Sequence, residues 1–390
     1  MKFCLYTVSI SPHQLPLARE LVKLLGVTAY RYVYRRRLNA ERQAMGWEAD
    51  EPDWLLQADS DEAREWLLSA DVLVSGERDM MLFKARSAAG KKTIYSAERW
   101  FKPITIGFGR WCVLNGRFRL LSPRYRKMAR EMMELVRRDE NFMLYPIGIH
   151  AARDFAWLLG CKIVDFERKP GGRVFGKGKW LEKIRIWGYF VGPSSVSDRS
   201  SVHVTRRWPF SFSISRRIIW VGRFLAWKHV EDLILAVTKI GCYLDIFGVG
   251  PEMKRLEKLI GTNRKIALNG VIPINEVRKK MRNHDLYVLC SDENEGWGAT
   301  INEAIEEGLS VIGTYEAGGS ATILGEGALY HAGDVQGLVK RIATGGMTVG
   351  NRLWSAKNAA LVLLNAVCGA GAMASSKKQS DENYPSGTFN

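Results

Sequence analysis

The chain has 390 residues, more than one hydrophobic core usually organises, so two domains of ordinary size are expected. It carries 57 Lys and Arg against 41 Asp and Glu, a net charge of +16 that favours anionic partners such as nucleotides, nucleic acid or an acidic membrane face. Every long apolar stretch is broken by charge or glycine before it could cross a bilayer, and the start reads as a strand rather than a signal peptide. A soluble cytoplasmic protein is the resulting expectation.

In chain order, strand-like runs are predicted at Phe3 to Ile10, Val72 to Ser75, Thr93 to Ser96 and Phe142 to Pro146, with helical runs near Pro16 to Leu25, Asp61 to Ser69 and Tyr125 to Arg138. This is the grammar of an α/β domain. Between Gly171 and Ser215 the pattern dissolves into glycine, serine and basic residues, predicting an irregular connection. Beyond it, short β-branched runs at Ile218 to Val221, Tyr243 to Phe247, Ile266 to Leu268, Leu286 to Cys290, Ser310 to Gly313 and Ala328 to His331 alternate with helical segments. In the first of those helices Val230, Leu233, Ile234 and Val237 share one face, and Glu231 and Asp232 suit the positive end of the helix dipole. The reading is an α/β chain of two Rossmann-like domains, residues 1–210 and 211–350, then a closing helix within 351–368 and a low-complexity tail from 369 to 390 too poor in apolar residues to fold. The cysteines at 4, 112, 161, 242, 290 and 368 have no Cys-x-x-Cys spacing, which favours reduced thiols over disulfides or zinc. No metal site is predicted.

Chemistry concentrates in Glu295-Gly296-Trp297-Gly298-Ala299-Thr300-Ile301-Asn302-Glu303, which follows a strand and opens a helix. Carboxyls of a hydrolytic acid/base pair sit roughly 5 to 9.5 Å apart. Eight helical steps span about 12 Å, and the glycines make the start a turn, so Glu295 and Glu303 serve different sites. Backbone N–H groups from Trp297 to Thr300 at the helix start suit a pyrophosphate. A second loop, Gly222-Arg223-Phe224-Leu225-Ala226-Trp227-Lys228, places Lys228 before a helix, where a cation is disfavoured unless an anion is near. With Arg223 it is read as a phosphate site. Gly248 and Gly250, after the next strand, would allow close approach of a ligand or simply a tight turn.

This assembly resembles the retaining glycosyltransferases of family 4, also grouped as glycosyl transferases group 1, over about Ile218 to His331. The shared elements, in order, are Gly222-Arg223 with Lys228, Phe247-Gly248-Val249-Gly250, Asn269-Gly270-Val271, the Glu295 to Glu303 segment with Gly-Trp-Gly where the family commonly has Gly-Phe-Gly, and Gly318-Gly319. The resemblance implies the GT-B fold, two Rossmann-like domains facing a cleft. It also implies that Arg223 and Lys228 hold the phosphates of a nucleotide diphosphate sugar, that Glu303 bonds the ribose, and that Glu295 contacts the transferred sugar. Amides near Gly298 and Ala299 would meet the pyrophosphate, and Gly270 and Val271 would lie beside the base. Catalysis would then rest on Glu295, Lys228 and Arg223, with no cofactor or metal and with retention of anomeric configuration. At the domain junction the family's Asn-Gly-Val-Asp element is replaced by Trp187-Gly188-Tyr189-Phe190-Val191.

The first half carries little of this resemblance. His13, in the loop after the first strand, is an acceptor-side candidate, since such loops line the crevice of an open sheet. From Arg110 to Arg138, nine basic residues are interleaved with Trp111, Phe118, Tyr125, Met128 and Leu135. That segment reads as a solvated helix face or as a dock on an anionic membrane carrying a lipid-linked acceptor. Transfer of a sugar to a saccharide or lipid-linked glycan, in polysaccharide or glycoconjugate synthesis, is the leading expectation. Partners would be the donor and acceptor but no nucleic acid. A nucleotide-sugar epimerase of similar fold, or a polyanion-binding protein, is the alternative.

Overall fold

The computed structural model describes residues 1–37, 52–101, 122–193, 216–346 and 354–368. The first domain runs β1 (Phe3–Ser9), α1 (Leu15–Leu25), β2 (Tyr30–Arg36), β3 (Leu55–Gln57), α2 (Asp61–Ser69), β4 (Val72–Ser75), α3 (Met80–Ala88), β5 (Lys92–Tyr95), α4 (Pro123–Arg138), β6 (Phe142–Leu144), α5 (Ile149–Leu158), β7 (Lys162–Phe166), β8 (Gly172–Lys177) and β9 (Arg185–Ile186). The second follows as β10 (Arg217–Val221), α6 (Val230–Ile240), β11 (Tyr243–Phe247), α7 (Met253–Ile260), β12 (Ile266–Leu268), α8 (Ile274–Met281), β13 (Leu286–Leu289), α9 (Thr300–Glu306), β14 (Ser310–Thr314), α10 (Gly318–Ile323), β15 (Leu329–Tyr330) and α11 (Val335–Thr344). Helix α12 (Ala356–Cys368) closes the described chain.

Both six-stranded sheets are parallel and share one strand order, β3-β2-β1-β4-β5-β6 and β12-β11-β10-β13-β14-β15. In each, the order reverses beside the first strand, which opens a crevice at the carboxyl ends of β1 and β4 and of β10 and β13. Period-two alternation assigns the faces of the second sheet. Ile218, Trp220, Leu244, Ile246 and Val288 pack with Val230, Leu233 and Val237 of α6 and Leu338 and Ile342 of α11. Ile219, Tyr287, Leu289 and Val311 face the other way, toward Ile301, Ala304 and Ile305 of α9, in a core continuous with the first domain.

Several elements were not predicted. Strand β2 alternates buried Tyr30, Tyr32 and Tyr34 with Arg31, whose charge hides the strand; the guanidinium lies over the Trp66 ring at 4.9 Å. Helix α5 buries six of its ten residues, so it shows no amphipathic stripe. Part of the expected irregular connection is regular, because β7, β8 and β9 form an antiparallel three-stranded sheet. Residues 194–215, the tail from 369 and Arg110, Arg117 and Arg119 of the basic run fall outside the described residues.

Helix α4 buries Ala129, Met132, Met133 and Val136, and Met128 and Leu135 pack partly against the same core. Arg124, Arg126, Lys127, Arg130, Arg137 and Arg138 are exposed. The apolar residues interleaved with this basic helix therefore serve the first domain, leaving a polar outward face. Helix α12 returns to the first domain and packs on α1, with Ala359, Ala360, Leu363 and Leu364 buried. Among the described residues, no helix is long and apolar enough to cross a membrane.

Candidate active site

The loops leaving β10 and β13, adjacent strands at the second crevice, meet through Lys228 and Glu295. Lys228 Nζ ion-pairs with Glu295 Oε2, and Ser291 Oγ donates to the same oxygen at 3.1 Å. Both side chains are largely withdrawn from solvent, where the lowered dielectric strengthens their attraction. The ammonium also lies 4.5 Å from the centre of the Trp227 ring.

His229 fixes this loop. Among the described residues it is the non-glycine residue of positive φ, +49°, and its ring reaches Asp232 at 3.2 Å and Asp292 at 3.6 Å. Its pKa is pushed up to about 10 by the bond to Asp232 and then that to Asp292. The imidazolium thus clamps the β10 loop to the β13 loop, aided by Asp292 N donating to Trp227 O at 3.0 Å. A histidine after a lysine gave no sign of this in the sequence, because its two carboxylates are contributed by different segments.

Gly248 and Gly250 have a packing reason different from ligand approach. A Cβ on Gly248 would lie 1.8 Å from Gly222 O, and one on Gly250 2.4 Å from Phe224 O. Their loop is zipped to its neighbours by Gly222 N to Phe247 O, Phe224 N to Val249 O and Gly248 N to Gly270 O. Arg223 is exposed on this rim. Gly270 has positive φ with open space around it, and Val271 beside it is exposed.

In the third segment Glu295 and Glu303 part company. Glu295 lies in the turn, while Glu303 is buried inside α9, and burial pushes its carboxyl up to about 7, with Arg278 opposing and Glu307 adding to the rise. Glu307 is held by Arg278 Nε at 2.7 Å and Arg282 Nε at 2.6 Å. No hydrogen bond among the described residues uses the amides of Gly298, Ala299 or Thr300. Gly296 faces a neighbour from the first domain, since a Cβ there would lie 2.3 Å from Glu98 Oε2. Glu98 Oε1 accepts from Tyr189 OH at 3.0 Å. Sequence reading did not select Glu98.

Trp297 gives the loop its main chain, while its indole is buried against the connector: Nε1 donates to Asn302 Oδ1 at 2.7 Å, and Asn302 Nδ2 donates to Tyr189 O at 3.2 Å. Trp297 also packs on Tyr189 and Trp354, and a Cβ on Gly188 would lie 2.5 Å from its ring. The two departures from the family pattern, Gly-Trp-Gly and Trp187-Gly188-Tyr189, are therefore one contact. His13 sits on the same connector, with its carbonyl accepting from Phe190 N at 3.2 Å and its ring 6.1 Å from Tyr189, and lines a cavity of only about 20 Å³.

A larger cavity of about 380 Å³ lies between the domains, lined by residues that sequence reading missed, among them Arg99, His150, Arg153, Arg168, Glu293 and Glu316. Its floor is stitched across the domains by Ile149 N to Thr322 Oγ1 at 2.9 Å and by His150 Nε2 to Tyr315 O at 2.8 Å. A carbonyl only accepts, so Nε2 carries the proton. Burial, followed by the Arg99 charge, pushes the His150 pKa down to about 4, leaving the ring neutral.

Residues 208–344 match the family model of glycosyl transferases group 1. Over 115 residues the chain is 30% identical to the UDP-N-acetylglucosamine--peptide N-acetylglucosaminyltransferase GtfA subunit of Streptococcus agalactiae, covering 27% of this chain and 22% of that protein. Over 101 residues it is 31% identical to the protein of the same name from Limosilactobacillus reuteri, covering 25% and 20%. The matches thus span about a fifth of these relatives' length. Among solved structures, Anabaena Alr3699/HepE in complex with UDP is similar with a TM-score of 0.54 at 14% identity, over 97% of this chain and 100% of that one. The lipopolysaccharide outer core galactosyltransferase WaaB, apo form, gives 0.56 at 14%, over 95% and 100%. The architecture is the GT-B fold, and the stretch that matches the model of glycosyl transferases group 1 spans β10 to α11 of its second domain.

Proposed function

We propose that this protein is a retaining glycosyltransferase that moves a sugar from a nucleotide diphosphate sugar to a saccharide or lipid-linked glycan, in polysaccharide or glycoconjugate assembly. The observation that carries the reading is the Lys228–Glu295 pair at the carboxyl ends of β10 and β13, beside unused main-chain amides. The similar proteins named for UDP-N-acetylglucosamine, and the similar structure with UDP, support a nucleotide-sugar donor.

In this reading the donor's diphosphate competes with Glu295 for Lys228. Arg223 and the amides of Gly298 and Ala299 complete its binding, and the freed Glu295 carboxylate accepts from hydroxyls of the sugar. Glu303 takes the ribose hydroxyls, and Val271 lies beside the base. As the anomeric bond breaks, negative charge grows on the departing diphosphate, and prearranged cations and amides stabilise that state most. Lys228 and Arg223 fill the role a metal plays elsewhere. The exposed basic face of α4 supports electrostatic docking on the cytoplasmic face of an anionic membrane.

The test is calorimetric titration with UDP, GDP and ADP, followed by a donor-sugar panel on the nucleotide that binds. Binding of one nucleotide and release of its diphosphate from the sugar form is expected. Absence of binding by all three would overturn the reading.

A further inference from the structure

Three guanidinium groups converge on one wall of the large interdomain cavity from separate segments: Arg99 after β5, Arg153 on α5 and Arg168 in the β7–β8 turn. Gathering like charges is costly unless they are matched. Arg99 lies 3.5 Å from Asp154. Arg168 donates to the carbonyls of Ala321 at 2.8 Å and Thr322 at 3.4 Å, neither of which carries charge. Arg153 has no hydrogen-bond or ion-pair partner among the described residues. One carboxylate therefore serves three cations on this wall, and partial burial followed by the charges of Arg168 and Arg99 depresses the Arg153 pKa.

The opposite wall is acidic, yet no ion pair joins the two walls among the described residues. Glu316 is engaged by His331 Nδ1 at 2.8 Å and Ala332 N at 3.1 Å, and Glu326 by the Tyr315 hydroxyl. Both are satisfied within the second domain. Glu293 stands two residues before Glu295, and Gly318, two residues after Glu316, donates its amide to Glu295 O at 3.2 Å. The acidic wall thus adjoins the loop that bears Glu295. A cavity near 380 Å³ is of ordinary size for a small ligand.

The geometry points to this cavity as an acceptor subsite for a saccharide bearing an oxyanion, a phosphate monoester or a carboxylate, with the anion on Arg99, Arg153 and Arg168 and the hydroxyls toward Glu293 and Glu295. Guanidinium forks match both anions bidentately, and a neutral acceptor would leave the wall uncompensated. The inference rests on the proposed glycosyl transfer for its word acceptor, but the anion site can be measured without turnover.

The experiment titrates full-length protein saturated with UDP, so that the probe cannot occupy the diphosphate site, with glucose 6-phosphate, glucuronate and uncharged glucose. At least one charged probe is expected to bind more tightly than glucose, and Arg153→Ala to weaken it about 10- to 100-fold, the scale of a lost charge-assisted hydrogen bond, with UDP affinity unchanged. A preference for phosphate over carboxylate, or the reverse, identifies the anion and supports the subsite either way. Arg168→Gln, checked for an unchanged Tm, should weaken the same probe. Equal affinity of parent and Arg153→Ala, or of charged probe and glucose, overturns the subsite. If UDP does not bind, whichever of GDP or ADP binds takes its place; if none of the three binds, the glycosyltransferase reading fails, and the same titrations on ligand-free protein decide the anion site separately.

Discussion

Lys228 and Glu295, 67 residues apart in the chain, share one ion pair at the mouth of the second crevice, each occupying the charge that the other's ligand would use. In the proposed donor site a diphosphate would have to displace Glu295 from Lys228. Lys228→Ala should weaken UDP about 10- to 100-fold, whereas Glu295→Gln, which releases the ammonium, should bind UDP at least as tightly as the parent. The same Glu295→Gln variant should lose transfer by 100-fold or more, an order expected for a polar contact that strengthens in the transition state. Calorimetry beside a turnover assay separates the two effects. Weaker UDP binding by Glu295→Gln would refute the exchange.

Glu303 is buried and its folded pKa, about 7, exceeds its ordinary value of 4.5. A group so raised gives the native state its greatest stability while protonated, and that stability is lost as pH rises from 4.5 through about 7. Glu303→Gln should accordingly raise Tm near pH 8 and change it little near pH 4.5. UDP affinity of the parent should fall as pH drops below about 7, because ribose hydroxyls need the carboxylate as acceptor. A pH series of melts and titrations on both proteins checks the sign, and a pH-independent Tm difference would show that Glu303 does not titrate in this window.

His229 carries the same sign from a different cause, two carboxylate partners rather than burial. Its raised pKa gives stability that is fully present below 6.5 and lost as pH rises through about 10. The Tm advantage of the parent over His229→Gln should therefore shrink steadily between those limits. Because Lys228 precedes His229 in the clamped loop, the variant should also bind UDP more weakly at neutral pH. An advantage that grows with pH would contradict the imidazolium clamp.

Trp297 and Gly188 form a lock and its keyhole. Trp297→Ala removes a buried indole and should cost about 3 to 5 kcal/mol, while Gly188→Ala forces a methyl into the ring and should cost about 1 to 3 kcal/mol. Trp297→Ala should then tolerate Gly188→Ala at less cost than the parent does, since the nearer clash partner is gone and the Trp354 ring, 3.1 Å from that Cβ, can shift into the space left. Denaturant unfolding of the two single variants and the double variant completes the cycle. Strict additivity would show that the contact does not govern the junction.

Much of the second domain was legible, because its strands are short apolar or β-branched runs ended by glycine or polar residues and its helices keep one buried stripe. Tyr30–Arg36 and Ile149–Leu158 were not, the first because Arg31, lying on Trp66, puts a charge into its apolar run and the second because it is buried too completely to show a period. The Glu295 to Glu303 segment was readable as chemistry since its glycines, carboxylates and helix start lie together in the chain. Its pairing with Lys228 and the convergence of Arg99, Arg153 and Arg168 depend on residues far apart in sequence, and no local pattern encodes such distances. The junction contact of the Trp297 indole was not legible, because its partners Tyr189 and Trp354 lie far away in the chain.

The return of α12 to α1, with Lys92 Nζ reaching Val367 O at 3.1 Å, makes the second domain an insertion within the first. The polypeptide therefore passes between the two domains twice rather than once. During synthesis the first domain emerges early but must wait for α12 until the inserted domain has left the ribosome. The half that docks α12 is therefore the last to be completed, and the inserted half can fold while its host is still unfinished.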